Sequence, residues 1–340
     1  MRSLAAVVPR GSAEAARRSL LEAGLLRRDL RVGHDGDFVV FALLRPPATP
    51  VPGAEIEERE FEVLDATESG SYRDRLALPA DVVDALPRAF DVVGDVVLIR
   101  IPPSLREHGP AVGKALLEFV PGARAVGLDL GVHGETRLRR IERLAGDGPW
   151  TTVHRENGLR LEVDLEGAYF SPRLAREHAE VAALVRPGER VIDFGCGVGP
   201  FGALIVREGR ARELVAVDLN PRATALAERN LAVPESTTRV RVVLDAIESF
   251  APSAGECDRA ILNIPHGGVK YLASVGATVA RGGTLHYYEL TERARADGRP
   301  EELLQALSAH PGTAWTVADR HVVHAYSPME DLVAYRLVRS

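Results

Sequence analysis

Asp193, Gly195, Gly197 and Gly199 fall within one short stretch, R-V-I-D-F-G-C-G-V-G-P-F (190–201), whose residue types and spacing suit ligand chemistry. The apolar pair Val191-Ile192 runs into Asp193, and the alternating glycines then carry the chain into a helix-like segment: strand, tight turn, helix start. Glycine tolerates positive φ and has no Cβ, so a ligand can lie directly on the backbone N–H groups. Nicotinamide, flavin and S-adenosylmethionine enzymes all use such loops, and the glycines alone leave the ligand open. Three further strands narrow it. Glu213–Asn220 carries Asp218 at its end, where a carboxylate can accept both ribose hydroxyls of a nucleoside; Val240–Leu244 leads into Asp245; Ala260–Ile264 runs into N-I-P-H (263–266). Polar groups at the carboxyl ends of successive strands mark the ligand side of an open α/β sheet. A pyrophosphate fingerprint has no acid directly ahead of its glycines, whereas Asp193 suits a ligand with an ammonium and a sulfonium, so S-adenosyl-L-methionine is expected ahead of NAD.

The elements that must position this loop can be read from the rest of the chain. At 340 residues, with 46% hydrophobic and 26% charged residues, it has the composition of an ordinary globular protein of two or three domains. No run is long and apolar enough to span a bilayer and the N-terminus lacks a secretory signal, so a cytoplasmic protein with no membrane partner is expected. Cys196 and Cys257 form neither a disulfide framework nor a metal cluster, and no metal is expected. The net charge of −6 excludes a chain basic all over, but a local basic stripe remains compatible with a nucleic-acid partner.

Residues 1–45 read as a small unit with a strand at Leu4–Val8, a helix near Ser12–Ala23 and strands at Leu30–Val32 and Phe38–Leu43. Its eight arginines against five acids make it locally basic, about +3. A solvated helix face accounts for that charge as well as a phosphate-contacting one. Residues 46–70 are rich in proline and then in glutamate, and read as an extended linker. Residues 71–167 form a second α+β unit, with a helix at Leu105–Phe119 and an Asn157-Gly158 hairpin. Within it Arg137, Arg139 and Arg140 alternate, as the wet face of an edge strand would. From residue 168 to 340 a doubly wound, seven-stranded α/β domain is expected, entered through Ser171-Pro172 and a helix carrying Glu177 and Glu180 on one face. A turn is expected at Gly282-Gly283, and a helix at Glu301–Ala309.

Several stretches together resemble one family, the archaeal and eukaryotic-type tRNA (guanine-N1)-methyltransferases that modify nucleotide 37. They are L-P-R-A-F-D-V-V-G-D-V-V-L-I-R-I (86–101), H-R-E-N-G-L-R-L-E-V-D-L-E-G-A-Y-F-S-P-R (154–173), G-V-G-P-F (197–201), N-I-P (263–265), H-Y-Y (286–288) and Y-S-P (326–328). The small unit at residues 1–44 is similar to the N-terminal domain of longer members. The resemblance implies a Rossmann-like class I methyltransferase domain preceded by two small α+β domains, in a monomer. It implies that Asp193, Gly195, Gly197, Gly199, Asp218, Leu219, Asp245, Ala246 and Asn263 hold S-adenosyl-L-methionine, with Asp218 on the ribose and Asp245 near the adenine amine. Glu177 becomes the general base, with Arg137 and Asn263 as its catalytic companions and Arg137, Arg173, Pro265 and Tyr169 on the substrate. The partner implied is tRNA, through its anticodon loop and, by the N-terminal domain, its outer corner.

These residue types suit the chemistry. Guanine N1 carries a proton and is not nucleophilic until it is removed, and an arginine can stabilise the charge that then moves onto O6. Nucleotide 37 has to leave its stack to reach a pocket at the strand ends. Two departures stand out: Gly195-Cys196 where the family has an aromatic residue and alanine, and His266-Gly267-Gly268 after N-I-P. A histidine there resembles the related wybutosine-pathway enzymes, which transfer an aminocarboxypropyl group, so that reaction stays open beside methyl transfer. A non-catalytic RNA-binding protein is the rival from another class. A small-molecule methyltransferase would leave the two accessory units without a task.

Overall fold

The computed structural model describes residues 1–27, 30–47, 49–51, 53–62, 70–134, 136–308 and 314–340. Arg28 and Asp29 of the basic N-terminal stretch, residues 63–69 and the expected helix end at Ala309 lie outside the described residues. The chain divides into two compact units, Met1–Val83 and Asp84–Ser340.

In the first unit, strands β1 (Arg2–Pro9), β2 (Gly33–Asp35), β3 (Phe38–Ala42) and β4 (Glu55–Glu60) form an antiparallel sheet ordered β2-β3-β1-β4. Helix α1 (Ala13–Glu22) turns Ala16 and Leu20 onto one face, against Ala6, Val8, Phe41 and Leu43. Ala5, Val7, Val40 and Ala42 point to the other face. Two expectations fail here. The strand expected at Leu30–Val32 lies at Gly33–Asp35, and the acidic part of the supposed linker is the edge strand β4, paired to β1 from Glu60↔Arg2 to Glu55↔Val7. An edge strand keeps one side in water, so charge there is tolerated and discourages further strand addition. The glutamates also answer the basic patch: Arg2 pairs with Glu58 at 3.3 Å and Arg31 with Glu62 at 3.2 Å. Counting through Glu62 adds five glutamates and one arginine, which turns a local charge of about +3 into about −1.

The second unit opens with a mixed sheet of β5 (Asp91–Val93), β6 (Val96–Ile99), β7 (Ala125–His133) and β8 (Leu138–Gly146), in that order. Helix α2 (Gly109–Phe119) covers it, and Gly113 makes the close approach possible: a Cβ there would lie 2.6 Å from Leu144 Cβ. The helix expected from Leu105 is preceded by a 3-10 segment, Pro103–His108. The hairpin β9 (Thr151–Glu156) and β10 (Leu159–Asp164) turns at Asn157 and Gly158, both left-handed at φ 47° and 75°, as an Asn-Gly turn requires. After α3 (Ala175–Leu184) come β11 (Arg190–Phe194), α4 (Pro200–Glu208), β12 (Glu213–Asp218), α5 (Pro221–Asn230), β13 (Arg239–Leu244), β14 (Cys257–Asn263), α6 (Leu272–Thr278), β15 (Val279–Glu292), α7 (Arg299–Leu307), β16 (Trp315–Ala325) and β17 (Glu330–Arg339).

The seven strands are ordered β13-β12-β11-β14-β15-β17-β16, parallel as far as β15, with β17 antiparallel to both its neighbours. β11, β12 and β14 are buried on both faces, which explains their unbroken apolar runs. Strand order reverses between β11 and β14, which opens a crevice at their carboxyl ends. The expected turn at Gly282-Gly283 is an irregularity inside β15 instead, where pairing jumps from Cys257↔Val279 to Arg259↔Thr284. Gly283 leaves no space for a side chain, since a Cβ would meet two backbone oxygens at 2.8 Å. Among the described residues no helix is long and apolar enough to cross a membrane.

Candidate active site

The glycine loop leaves β11 and enters α4 with Gly195, Gly197 and Gly199 all left-handed, at φ 72°, 57° and 83°. The amides of Gly195 and Cys196 donate to the carbonyl of Val217 at 2.8 and 3.0 Å, and that of Gly197 donates to Asp218 Oδ2 at 2.8 Å. Asp218 Oδ1 accepts from the Asn220 amide at 2.8 Å, so the acid at the tip of β12 is oriented by both the loop and the next helix start. Beneath them Asp193 is 1% exposed, and neither carboxylate oxygen has a hydrogen-bond partner among the described residues. Burial, helped by the charge of Asp218, raises its pKa to about 7. Burial also raises that of Asp218. A buried carboxylate without a partner among the described residues, beside a loop with glycine at every second position, fits a cationic nucleoside ligand.

Above this cradle a cavity of about 800 Å³ is lined by Gly195, Gly197, Asp218, Leu219, Ala246, Asn263 and Lys270, among others. Asp193 is under its floor and Gly199 caps α4, so neither lines it. Asp245 does not line it either: its Oδ1 accepts from the Ala246 amide at 2.8 Å.

A second cavity, about 290 Å³, lies between the small mixed sheet and the strand ends. Phe90, Arg100, Asp129 and Arg139 line it from the small sheet, Ser171 and Arg173 from the connection, and His324 and Tyr326 from the last hairpin. Arg137, Tyr169, Asn263, Pro265, His266 and Val132 line both cavities. Arg137 sits at φ 54°, a strained position for an arginine, with its guanidinium carbon 4.9 Å from the Tyr169 ring centroid. Its Nε and the Oδ1 of Asn263 are buried with no partner among the described residues. The edge-strand reading of the arginines therefore holds only for the exposed Arg140. Arg139 is buried, donating to Asp129 Oδ2 at 2.5 Å and to the carbonyl of Phe170 at 3.1 Å. Arg173 pairs with Asp91 at 2.8 Å.

Glu177 is not brought to this place. Its carboxylate is 4% exposed and lines a separate cavity with Glu180, His286 and His321. Oε2 accepts from the Tyr288 hydroxyl at 3.1 Å and Oε1 meets His321 Nε2 at 2.9 Å. The first turn of α3 points this side chain into the interior, onto Tyr288 of β15 and His321 of β16. Sequence reading gave no site role to Asp129, Arg100, His324 or Tyr326, although Arg100 and Tyr326 fall within stretches that carry the resemblance; Arg100, just after β6, pairs with Asp129 on β7 at 3.0 Å.

A seven-stranded sheet of this order, with a glycine cradle, an acid at the tip of β12 and a buried carboxylate without a partner among the described residues, defines an S-adenosylmethionine-dependent class I methyltransferase. Residues 152–317 match the TRM5/TYW2 methyltransferase domain, and residues 72–149 match the TYW2 N-terminal domain. The chain is 32% identical over 333 residues to tRNA (guanine(37)-N(1))-methyltransferase Trm5b of Pyrococcus abyssi, covering 98% of each chain. The crystal structure of that Trm5b superposes with a TM-score of 0.73 over 99% of both chains, at 30% identity. A complex of aTrm5 with tRNALeu superposes with a TM-score of 0.68 at 25% identity, covering 98% of this chain and 99% of that one. Identity to the tRNA(Phe) (4-demethylwyosine(37)-C(7)) aminocarboxypropyltransferase of Pyrococcus horikoshii is 24%, over 74% of this chain and 89% of the relative. The chain belongs to the TRM5/TYW2 family of methyltransferases.

Proposed function

We propose that the protein methylates N1 of guanosine 37 in tRNA, next to the anticodon. The observation that supports this most is the seam between the two cavities, where Arg137 Nε and Asn263 Oδ1, one donor and one acceptor, are buried without partners among the described residues. The larger cavity fits the cofactor, with Asp218 on the ribose, Leu219 and Ala246 beside the adenine, and Asp193 under the amino acid end. Bound there, S-adenosyl-L-methionine supplies an electrophilic methyl group. The smaller cavity takes the extruded base. Tyr169 offers it a stacking face backed by Arg137, and Asn263 Oδ1 accepts from its N–H edge. Arg137 stabilises the charge that develops on O6 as the N1 proton leaves. Arg173, 2.8 Å from Asp91 and exposed, faces the sugar-phosphate backbone. The family assigns the N1 proton to Glu177, which would have to leave its bonds to Tyr288 and His321 to take it.

The test is methyl-donor labelling of unmodified tRNA transcripts with guanosine or adenosine at nucleotide 37. Label should appear only with guanosine, and label independent of that base would refute the proposal. The match of residues 72–149 to the TYW2 N-terminal domain favours a second reading, aminocarboxypropyl transfer at the same nucleotide. Mass analysis of the product nucleoside separates the two, since the added groups differ greatly in mass.

A further inference from the structure

We propose that Arg155 and Arg160, side by side on the hairpin of β9 and β10, hold a backbone phosphate of the tRNA substrate. The proposal rests on the tRNA reading above and adds a contact surface outside both cavities of the active site.

The two arginines stand directly opposite each other, because the register of the hairpin pairs Arg160 with Arg155 next to its closing pair, Leu159↔Glu156. In a two-residue hairpin the closing pair exchanges hydrogen bonds. The pair beside it is the kind without them, whose side chains stand closest, with Cα atoms about 4.5 Å apart. Both residues are exposed, and neither guanidinium has an ion pair or hydrogen bond among the described residues. Like charges placed in this way destabilise a hairpin.

The acids of the hairpin do not offset them. Glu162, two residues beyond Arg160 on the same face, is held by Arg229 of α5 at 2.6 Å, and Asp164, two further on, by Arg222 at 2.8 Å. Glu156 leaves by the opposite face and is buried against His178 at 2.7 Å. The missing negative charge has to come from outside the chain.

Both arginines open onto a groove of about 680 Å³ between the hairpin and the turn from β5 to β6. Its wall is fixed: Gly94 lies so close to β9 that a Cβ there would be 2.7 Å from the Val153 carbonyl oxygen. Arg124 also lines the groove but is engaged with Asp95 and with the carbonyls of Asp147, Pro149 and Thr151. Three arginines and a single acid, Asp95, thus line it, in a chain of net charge −6. Among the described residues no buried polar atom lining the groove lacks a partner, as one would in a pocket built around a small anion. Open charge on two long side chains suits a polyanion instead.

The groove follows the edge of the base pocket. Asp91, at the start of β5, lines the smaller cavity and pairs with Arg173, while Val92 and Gly94 line the groove. From Asp91 to Gly94 is about 10 Å of extended chain. An RNA strand whose base enters the smaller cavity can therefore lay successive phosphates on Arg173 and on the Arg155–Arg160 pair.

Equilibrium binding of a guanosine-37 transcript over a salt titration, with melting curves of the same proteins, tests this. R155S/R160S should bind about tenfold or more weakly at low salt, and the slope of log Kd against log salt should fall by about 1 to 1.5. In methyl transfer the loss should fall on KM for tRNA more than on the single-turnover rate. R160E replaces a repulsion by a cross-strand ion pair, so it should raise Tm while weakening tRNA binding, a combination that a purely structural pair would not give. The proposal is overturned if R155S/R160S keeps the wild-type affinity and salt slope, or if R160E lowers Tm and affinity together. Equal weakening by R281S, which removes an exposed arginine of β15 outside the groove, would reduce the effect to net charge and overturn it too. Variants that keep tRNA affinity but lose stabilisation by inorganic phosphate would make the groove a free-anion site, which also overturns it. A wild-type protein that does not bind the transcript at all would instead count against the tRNA reading, before any variant is made.

Discussion

Replacing Asp193 by asparagine should change how stability depends on pH, in a direction opposite to that of a salt-bridged acid. Asp193 is buried with no partner among the described residues, and its pKa in the folded chain is raised to about 7, against about 3.9 for an unperturbed aspartate. Between those values the folded state holds a proton that the unfolded state has released. Stability is therefore full below about pH 4 and is lost as pH rises towards 7, at about 1.4 kcal/mol per pH unit, roughly 4 kcal/mol in total. The carboxamide of D193N cannot ionise, and Asp218 is present in both proteins. The stability of D193N relative to wild type should thus grow across this window and level off above it, whatever offset the amide itself introduces. For a unit of this size the gap in Tm should widen by a few degrees per pH unit. Melting both cofactor-free proteins from pH 4.5 to 8 measures it, and parallel curves would refute the account of Asp193. Calorimetric binding of S-adenosyl-L-methionine supplies the complement: on the proposed placement of Asp193 under the cofactor's amino acid end, wild-type affinity should rise about tenfold per pH unit up to about 7 as the carboxylate ionises, while that of D193N stays weak and flat.

Other outcomes follow from the same geometry. Asn263→Ala should lower the methyl-transfer rate about tenfold or more with the melting curve unchanged, because its Oδ1 has no structural partner to lose among the described residues; a matching loss of stability would argue against a substrate contact. Gly113→Val should destabilise the small mixed sheet by about 1–3 kcal/mol in denaturant melts, since its Cβ would lie 2.6 Å from Leu144 Cβ and 2.8 Å from backbone. Changing Glu55, Glu57 and Glu60 on β4 together to glutamine should tighten tRNA binding at low salt and steepen its salt dependence if the N-terminal unit touches RNA. No change in a salt titration would separate that unit from tRNA binding.

The ligand side of the large sheet was legible because two signals coincide there: fully buried parallel strands leave unbroken apolar runs, and each run ends in a polar residue at the crevice. Asp193, Asp218 and Asn263 all stand at such ends. The Asn157-Gly158 hairpin was legible for a local reason, the positive φ of both residues. Strand β4 was not, because its four glutamates and one arginine near prolines carry no alternation of apolar and polar, and what makes them a strand is the distant β1. Gly282-Gly283 misled for a related reason: glycine pairs mark bulges as readily as turns, and only the neighbouring strand decides. The inward turn of Arg137 and Arg139 could not be read from their spacing. It depends on the irregular pairing between Asp129 and Val132, which reorients the end of β8 relative to its partner. The cavity that Glu177 lines was not legible either, since a helix position tells which face a side chain leaves by and not which cavity receives it.

Two links join the small mixed sheet to the stretch that leads into the methyltransferase domain: Arg139 on β8 bonded to the Phe170 carbonyl, and Arg173 paired with Asp91 on β5. Together they mean that neither sheet is an interchangeable module. A chimera that took residues 84–150 from a relative would keep a working base pocket only if it brought partners for Phe170 and Arg173 with it. Divergence in this family should therefore proceed by paired changes across the join, with the pocket acting as a hinge point between two co-inherited halves.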